Sequence, residues 1–301
     1  MKLFNKVIGH ESLKNTLTQI IQQNTIGHAY LFIGKEGSGA LPLALSFAKL
    51  MVSLPPKMAF NLENIIETNE YKRANSLTHP DLHFIFPTIK KKDKNNLSSD
   101  FIQEFRTFIQ ENPYNNYYQW LQFIEAENKQ GNISAEECNE IGKIVSIKPY
   151  ESKYKILLIW MPELLGKEGN KLLKLIEEPP ANTIFLLIAE RKELILETIL
   201  SRCQIIHVPS YTATEIMDGL TNLYQTPTEQ ATQIAAMVEG NFNTAISMLQ
   251  NQPSEWLELI KNWLNYTLTN NVEKQLNLIE EMATLGREKQ KQLLTYLLHL
   301  I

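Results

Sequence analysis

The sequence contains little cysteine and no long apolar runs. Cys138 and Cys203 are its only two cysteines and lie far apart, so neither a disulfide framework nor a C-x-x-C metal pair is predicted. The longest apolar stretches fall well short of the roughly 18 residues that a membrane-spanning helix needs. The N-terminal stretch MKLFNKVIGHESLK lacks the apolar segment of a secretory signal. We therefore expect a cytoplasmic protein that holds no structural zinc and has no membrane partner.

An excess of positive charge is also absent. The chain has 29 Lys and Arg residues against 33 Asp and Glu residues, a formal net charge of −4. Non-specific binding to DNA depends on many Lys and Arg contacts with phosphate, so this balance argues against a protein that holds DNA by bulk electrostatics. The one concentrated basic run, KKKDK at 90–94, fits either a solvated loop or a contact with DNA or an acidic partner.

Strands and helices alternate in the first two thirds of the chain. The runs AYLFI (29–33), KILLI (155–159) and TIFLLIA (183–189) predict buried strands, and segments with helical spacing lie between them. Strands that alternate with helices indicate an α/β domain, a parallel sheet with helices on both faces, over residues 1–209. Residues 55–130 have a less regular pattern, which we interpret as an insertion.

The sequence beyond Pro209 predicts helices only. Six segments carry apolar residues at three- and four-residue spacing, with Gly240 and Pro253 as stops. The first three segments fit a small helical domain over 210–252, and the others begin a second helical domain over 253–301. The last segment keeps an apolar face to the end of the sequence and has no cap, so we expect the chain to stop inside that domain.

A glycine-rich turn, GKEGSG, lies between a predicted strand and a predicted helix. Such a turn can cradle phosphate with its own backbone N–H groups and with the N-terminus of the helix. Its glycines are Gly34, Gly37 and Gly39. The pattern G-x-x-x-x-G-K-[ST] also requires a lysine and a hydroxyl, and this chain has Ala40 and Leu41 in those two places. We therefore interpret the turn as a phosphate loop that has lost its side-chain chemistry.

Other positions of a nucleotide-hydrolysing site are changed as well. A phosphate-loop ATPase needs an Asp for magnesium and a Glu that orients the attacking water, both at the end of a neighbouring strand. After KILLI those places are taken by Trp160 and Met161, which cannot bind a metal ion. The next strand ends beside Glu190, and a carboxylate that faces phosphate repels it. We predict that the chain alone is not an active ATPase.

The order of four motifs resembles the bacterial clamp-loader ATPase family. These motifs are IGHESLKNTL, HAYLFIGKEGSG, KLLKLIEEPP and ILETILSRCQ, and the similarity covers roughly residues 7–209. The resemblance implies an ATPase-type domain followed by a helical lid and a helical collar. It also implies a hetero-pentameric ring with gamma/tau and delta subunits, which opens a sliding clamp and places it on primed DNA.

The chain departs from this family at two further places. Many relatives carry four zinc-binding cysteines after the phosphate-loop helix, but residues 51–80 contain no cysteine. The lid of active relatives carries an arginine that touches nucleotide, and Asn243 stands at the matching position here. We therefore expect no cofactor, neither zinc nor ATP.

One functional group of the family remains in the sequence. In the motif Ser201-Arg202-Cys203 the family's arginine reaches across a subunit interface to the γ-phosphate of a neighbour's ATP. An arginine supplied in trans can be worth about 10³ to 10⁵ in the rate of phosphoryl transfer. The resemblance therefore implies that Arg202 completes the active site of another subunit.

Three functions remain open from the sequence. The first is a non-hydrolysing clamp-loader subunit of a DNA polymerase holoenzyme, which donates an arginine to a neighbouring ATP site during DNA replication. The second is an active clamp-loader ATPase of the gamma/tau type, which the changes in the phosphate loop and after KILLI disfavour. The third is a DNA-binding scaffold module, which the negative net charge disfavours.

Overall fold

The computed structural model describes most of the chain as two compact units. It covers residues 2–55, 62–91, 95–126, 129–250 and 253–284, together with positions 290, 293, 294 and 297. The units are Met1–Ser210 and Tyr211–Ile301. Among the helices of these residues, none is long and apolar enough to cross a membrane.

A sheet of five parallel strands forms the centre of the first unit. The strands are β1 (Ala29–Ile33), β2 (Leu82–Ile85), β3 (Lys155–Trp160), β4 (Thr183–Ala189) and β5 (Gln204–His207). They lie in the order β2-β3-β4-β1-β5. The three strands that the sequence predicts are the three central ones, which confirms that part of the prediction. The edge strands β2 and β5 were not predicted.

Helices cover both faces of this sheet. They are α1 (Glu11–Gln22), α2 (Ala40–Val52), α3 (Asn69–Asn75), α4 (Ile102–Glu111), α5 (Tyr117–Phe123), α6 (Ala135–Ser146), α7 (Gly169–Glu177) and α8 (Glu197–Leu200). Tyr30 and Phe32 of β1 lie in an apolar cluster with residues of α2 and α4, whereas Leu31 lies in a second cluster with residues of α6 and α7. Strands buried on both faces need nearly continuous apolar sequence, and the central strands could therefore be recognised in the sequence. The predicted α/β fold, a parallel sheet with helices on both faces, is confirmed.

The described residues of the second unit form helices. These are α9 (Ala213–Tyr224), α10 (Thr228–Met237), α11 (Phe242–Gln250), α12 (Pro253–Leu268) and α13 (Val272–Thr284). Five of the six helices predicted beyond Pro209 are thus confirmed. The sixth, predicted over 288–301, lies mostly outside the described residues. The further division of this unit into a lid and a collar stays a prediction.

Residues 55–130, which the sequence pattern indicated as an insertion, supply part of the core of the first unit. Their described part contains the edge strand β2 and the helices α3, α4 and α5. Phe86 stacks on Phe105 with ring centroids 4.0 Å apart, and Trp120 is fully buried beside both rings. These three aromatic residues therefore pack into the domain and do not belong to a peripheral loop. The four residues of β2 are too few to stand out in a stretch rich in His and Pro.

Candidate functional site

The glycine-rich turn lies between the end of β1 and the start of α2, as the sequence predicts. The Gly34 N–H donates to the Ala189 carbonyl oxygen at 3.1 Å, which ties the turn to the end of β4. A Cβ atom at Gly34 would lie 2.3 Å from Ser38 Oγ, so a side chain at this position would force the turn to shift. Gly37 and Gly39 have φ angles of 72° and 83°, which side chains disfavour. The backbone of a phosphate loop is therefore present.

The side chains that follow the turn are apolar and buried. Ala40 and Leu41 begin α2 and are 7% and 6% exposed, and both belong to the apolar cluster that contains α2 and α4. Neither side chain can contact phosphate or magnesium through a charge or a hydroxyl. The first turn of α2 therefore packs against the domain, where an active site would have a lysine and a hydroxyl.

The end of β3 is apolar as well. Trp160 is 3% exposed, and its ring centroid lies 6.1 Å from that of Phe105 and 6.4 Å from that of Phe108. Met161 follows with a φ of 58° and is 5% exposed, and its N–H donates to the Ile188 carbonyl oxygen at 3.0 Å. The two positions that would hold magnesium and water in an active site are thus filled by packed apolar side chains.

The end of β4 is held by a carboxylate that the sequence reasoning did not single out. Glu163 Oε1 accepts hydrogen bonds from the backbone N–H groups of Glu190 and Arg191, at 2.5 and 2.9 Å. Glu163 is 7% exposed, and this burial raises the pKa of its carboxyl although the backbone donors oppose the rise. The contact joins the segment after β3 to the end of β4. The backbone around Glu190 is therefore fixed by the chain itself.

A segment from the middle of the chain lies over the phosphate loop. Asn116 Nδ2 donates to Glu36 Oε1 of the loop at 3.0 Å. Tyr114 Oη accepts from the Ile8 N–H at 3.0 Å and donates to the Lys6 carbonyl oxygen at 3.1 Å. Asn116 also caps α5 in a capping box with Gln119. This local pattern can be recognised in the sequence, but it does not indicate that the segment reaches the phosphate loop. Residues 113–116, like Glu163, are a part of this site that sequence reasoning missed.

These elements line a small, partly open cavity where a nucleotide would lie in an active relative. It is lined by Gly34, Lys35, Glu36, Gly37, Gly39, Ala40, Leu41, Pro42, residues 113–116, Trp160, Ile188, Ala189 and Glu190. Its volume is about 40 Å³. Small-molecule sites have volumes of roughly 300 to 1,000 Å³, and a single water occupies at least about 10 to 15 Å³. The cavity therefore has room for a few water molecules.

Charge in this cavity also disfavours a polyphosphate. Glu36 and Glu190 are two carboxylates among its lining residues, and Lys35 is the one cation among them. A carboxylate beside phosphate is repulsive, more strongly so in a partly buried site than in water. The structure thus brings the predicted loop and strand-end positions together around this cavity, except for Met161, which follows Trp160 but does not line it. The arrangement leaves little space and little positive charge.

Asn243, the remaining predicted nucleotide position, lies in the second unit. It is 3% exposed and belongs to α11. Its assignment to a nucleotide site stays a prediction, and so does the assignment of the basic run. Lys91 Nζ lies 3.7 Å from Glu125 Oε2, and residues 92–94 of that run fall outside the described part of the chain.

The expected absence of zinc also stays a prediction. Among the described residues, no group of three or more His, Cys, Asp or Glu side chains could hold a metal ion. Positions 56–61 of the cysteine-free segment lie outside those residues.

The arginine of the Ser201-Arg202-Cys203 motif is partly exposed in the turn between α8 and β5. Arg202 Nη1 donates to the Thr198 carbonyl oxygen at 2.8 Å and to Ser201 Oγ at 3.1 Å. Arg202 Nη2 forms an ion pair with Glu177 Oε1, and the Arg202 side chain is 33% exposed. Burial raises the pKa of the Cys203 thiol to about 11, so this cysteine is protonated at neutral pH. The motif presents a cation at the surface and no reactive thiolate.

Arg202 and the phosphate loop lie at opposite ends of the parallel strands. β1 and β5 are parallel neighbours, with Ile33 opposite His207. Gly34 follows the last residue of β1, whereas Arg202 comes before the first residue of β5. In a parallel pair of strands, the start of one strand and the end of the other lie at opposite ends of the pair. The arginine therefore is not part of the chain's own phosphate loop.

Comparison with known proteins places the chain in a family. A family model described as DNA polymerase III, delta subunit, matches residues 9–128 and 119–212. The delta' subunit of DNA polymerase III from Bacillus subtilis is 27% identical over 235 residues, which cover 77% of this chain and 56% of that protein. The tau subunit of DNA polymerase III from Bacillus subtilis is 27% identical over 255 residues, which cover 82% of this chain and 37% of that protein.

A solved structure is similar along most of the chain. A DNA polymerase III gamma subunit-related protein from Thermotoga maritima is 16% identical, with a TM-score of 0.44, and the match covers 93% of this chain and 75% of that chain. The matched regions of the two Bacillus subtilis relatives make up 56% and 37% of their lengths, so this chain spans about half of these curated relatives or less.

Proposed function

Because this chain belongs to the DNA polymerase III delta subunit family, we propose that it is a clamp-loader subunit of the delta-prime type. In this proposal the chain neither binds nor hydrolyses ATP. It serves as a rigid member of a ring, and Arg202 completes the ATP site of the neighbouring subunit. The partners are the gamma/tau and delta subunits in a hetero-pentameric ring, and the sliding clamp and primed DNA are reached through the assembled complex.

The observation that carries the non-hydrolysing role is the small size of the cavity at the phosphate loop. A volume of about 40 Å³ is several times too small for a nucleotide. Trp160 and Met161 occupy the positions for magnesium and water, and both are buried. Opening the cavity would require residues 113–116 to leave the loop and Trp160 to leave its aromatic neighbours. The small volume, the apolar side chains at the metal and water positions and the covering segment therefore all disfavour ATP binding.

The donation of Arg202 is supported by its position and exposure. The side chain is 33% exposed and lies at the opposite end of the strands from the chain's own loop. An arginine there can reach a second protein and cannot reach its own phosphate site. A planar guanidinium also binds phosphate oxygens in pairs, which suits the γ-phosphate of a nucleotide held by a neighbour.

Three measurements on the wild-type chain test this proposal. Isothermal titration of the purified chain with ATP and magnesium should give no binding, and its ATP turnover should not exceed that of a buffer control. Native mass spectrometry after mixing with the other clamp-loader subunits of its organism should give one complex that contains this chain. ATP turnover by the chain alone that is abolished by Gly39→Ala would instead support the active ATPase. Binding to primed DNA without the other subunits would support the scaffold module.

A further inference from the structure

The guanidinium of Arg202 is held by two helices of its own chain. Nη1 contacts the Thr198 carbonyl oxygen and Ser201 Oγ at the end of α8, at 2.8 and 3.1 Å. Nη2 contacts the Glu177 carboxylate at the end of α7. Nε has no partner among the residues that the structure describes. Both terminal nitrogens are therefore oriented by the chain before any ligand arrives.

Glu177 is well placed to fix this orientation. It is the last residue of α7, and the preceding residue, Ile176, is fully buried, as is Leu172 one turn earlier. The backbone of Glu177 is therefore anchored by the core, although its side chain is 39% exposed. A carboxylate at the C-terminus of a helix is disfavoured by the helix dipole, so Glu177 gains from a cation beside it. The pair couples a core-anchored helix to an exposed arginine.

We propose that Glu177 is the positioning residue for Arg202, and that its carboxylate orients the guanidinium towards a polyphosphate anion held by a neighbouring subunit. The inference rests on the proposed function, because it gives Arg202 the same role in trans. An exposed arginine has many rotamers, and ordering them when the ligand binds lowers the gain from each new contact. A guanidinium that is already ordered avoids that cost. A small displacement of such a group is enough to reduce a rate by tenfold or more.

Two competing roles for Glu177 predict other changes in the rate of hydrolysis. A carboxylate that restrained or neutralised Arg202 would keep the guanidinium away from phosphate, and removing it would raise the rate of hydrolysis. A carboxylate that only stabilised the fold would change the melting temperature and leave the rate per assembled complex unchanged. The direction of the rate change therefore separates these three roles.

The test uses the complete clamp-loader complex, reconstituted with wild-type or variant chain. Glu177→Ala should lower the single-turnover rate at the adjacent site about tenfold and leave the KM for ATP within about twofold. Glu177→Gln keeps the hydrogen-bond acceptor and should recover most of the rate. Glu178→Ala is the matched control, because the exposed Glu178 side chain forms no ion pair with the described residues, and it should match wild type.

The double variant Glu177→Ala with Arg202→Ala separates failure of this inference from failure of the proposed function. If Glu177 acts through Arg202, the double variant should be no slower than Arg202→Ala alone. A loss with Arg202→Ala but an unchanged or raised rate with Glu177→Ala would overturn the positioning role and leave the proposed function intact. No loss with Arg202→Ala, in a complex of confirmed composition, would overturn both. If Glu177→Ala fails to assemble, Glu177→Asp replaces it, because its shorter side chain moves the carboxylate away from the guanidinium: a rate well below wild type would support the positioning role, and a wild-type or raised rate would overturn it.

Discussion

Replacing Trp160 by alanine should strongly destabilise the first unit, because Trp160 fills the position that would bind magnesium in an active relative. The side chain is 3% exposed and packs against the rings of Phe105 and Phe108. Truncating a buried tryptophan to alanine removes apolar contact and leaves a cavity, at a cost of about 3 to 5 kcal/mol. For a domain of roughly 150 to 250 residues, each kcal/mol lowers the melting temperature by about 2 to 4 °C. We therefore expect a decrease of about 6 to 20 °C.

Differential scanning calorimetry is the assay for this prediction, because removing a tryptophan changes fluorescence by itself. Tyr150→Ala is the control, since Tyr150 is 84% exposed and its truncation should change the free energy of unfolding by less than about 0.5 kcal/mol. Trp160→Phe should fall between wild type and Trp160→Ala. A melting temperature for Trp160→Ala within about 2 °C of wild type would refute the view that Trp160 is an integral part of the closed site.

Three further changes test the loop and the core. Gly39→Ala should destabilise the chain by about 1 to 2 kcal/mol in denaturant unfolding because Gly39 has a φ of 83°, whereas Gly142→Ala in α6, where a Cβ meets nothing within 4 Å, should be neutral or stabilising. Burial raises the pKa of Glu137 from 4.5 to about 7, so its contribution to stability is complete below pH 4.5 and is lost as the pH rises through about 7. Glu137→Gln should therefore reduce the fall in melting temperature between about pH 5 and about pH 8, and an unchanged profile would contradict this. Restoring the loop pattern with Ala40→Lys and Leu41→Thr should give no ATP hydrolysis in a phosphate-release assay, because the positions for metal and water stay apolar.

Much of the fold could be predicted because the central strands carry their own signal. β1, β3 and β4 are buried on both faces, and such strands appear as short continuous apolar runs. The edge strand β5 has mostly exposed residues, so its four positions lack that signal. The changed positions of the phosphate loop could also be predicted, because the motif has fixed spacing and each of its positions can be compared with the residue found there.

The closure of the site and the fixation of Arg202 could not be predicted in this way. Asn116 and Glu36 are 80 positions apart in sequence, and their contact depends on how the helices after β2 return to the loop. Arg202 and Glu177 are 25 positions apart and meet only because α7 and α8 end close together. Local spacing contains no information about either contact, since both are set by tertiary packing.

The central claim is that Arg202 acts on a neighbour's ATP, and single-turnover hydrolysis by the reconstituted complex tests it most directly. With Arg202→Ala the chain should still fold and join the complex, because a partly exposed charged side chain contributes little to its own core. Hydrolysis at the one adjacent site should fall about tenfold or more, and the total rate should fall only partly. Arg202→Lys should not restore it, since lysine lacks the planar fork that binds two phosphate oxygens. Unchanged single-turnover rates with both variants, in complexes of confirmed composition, would contradict the account.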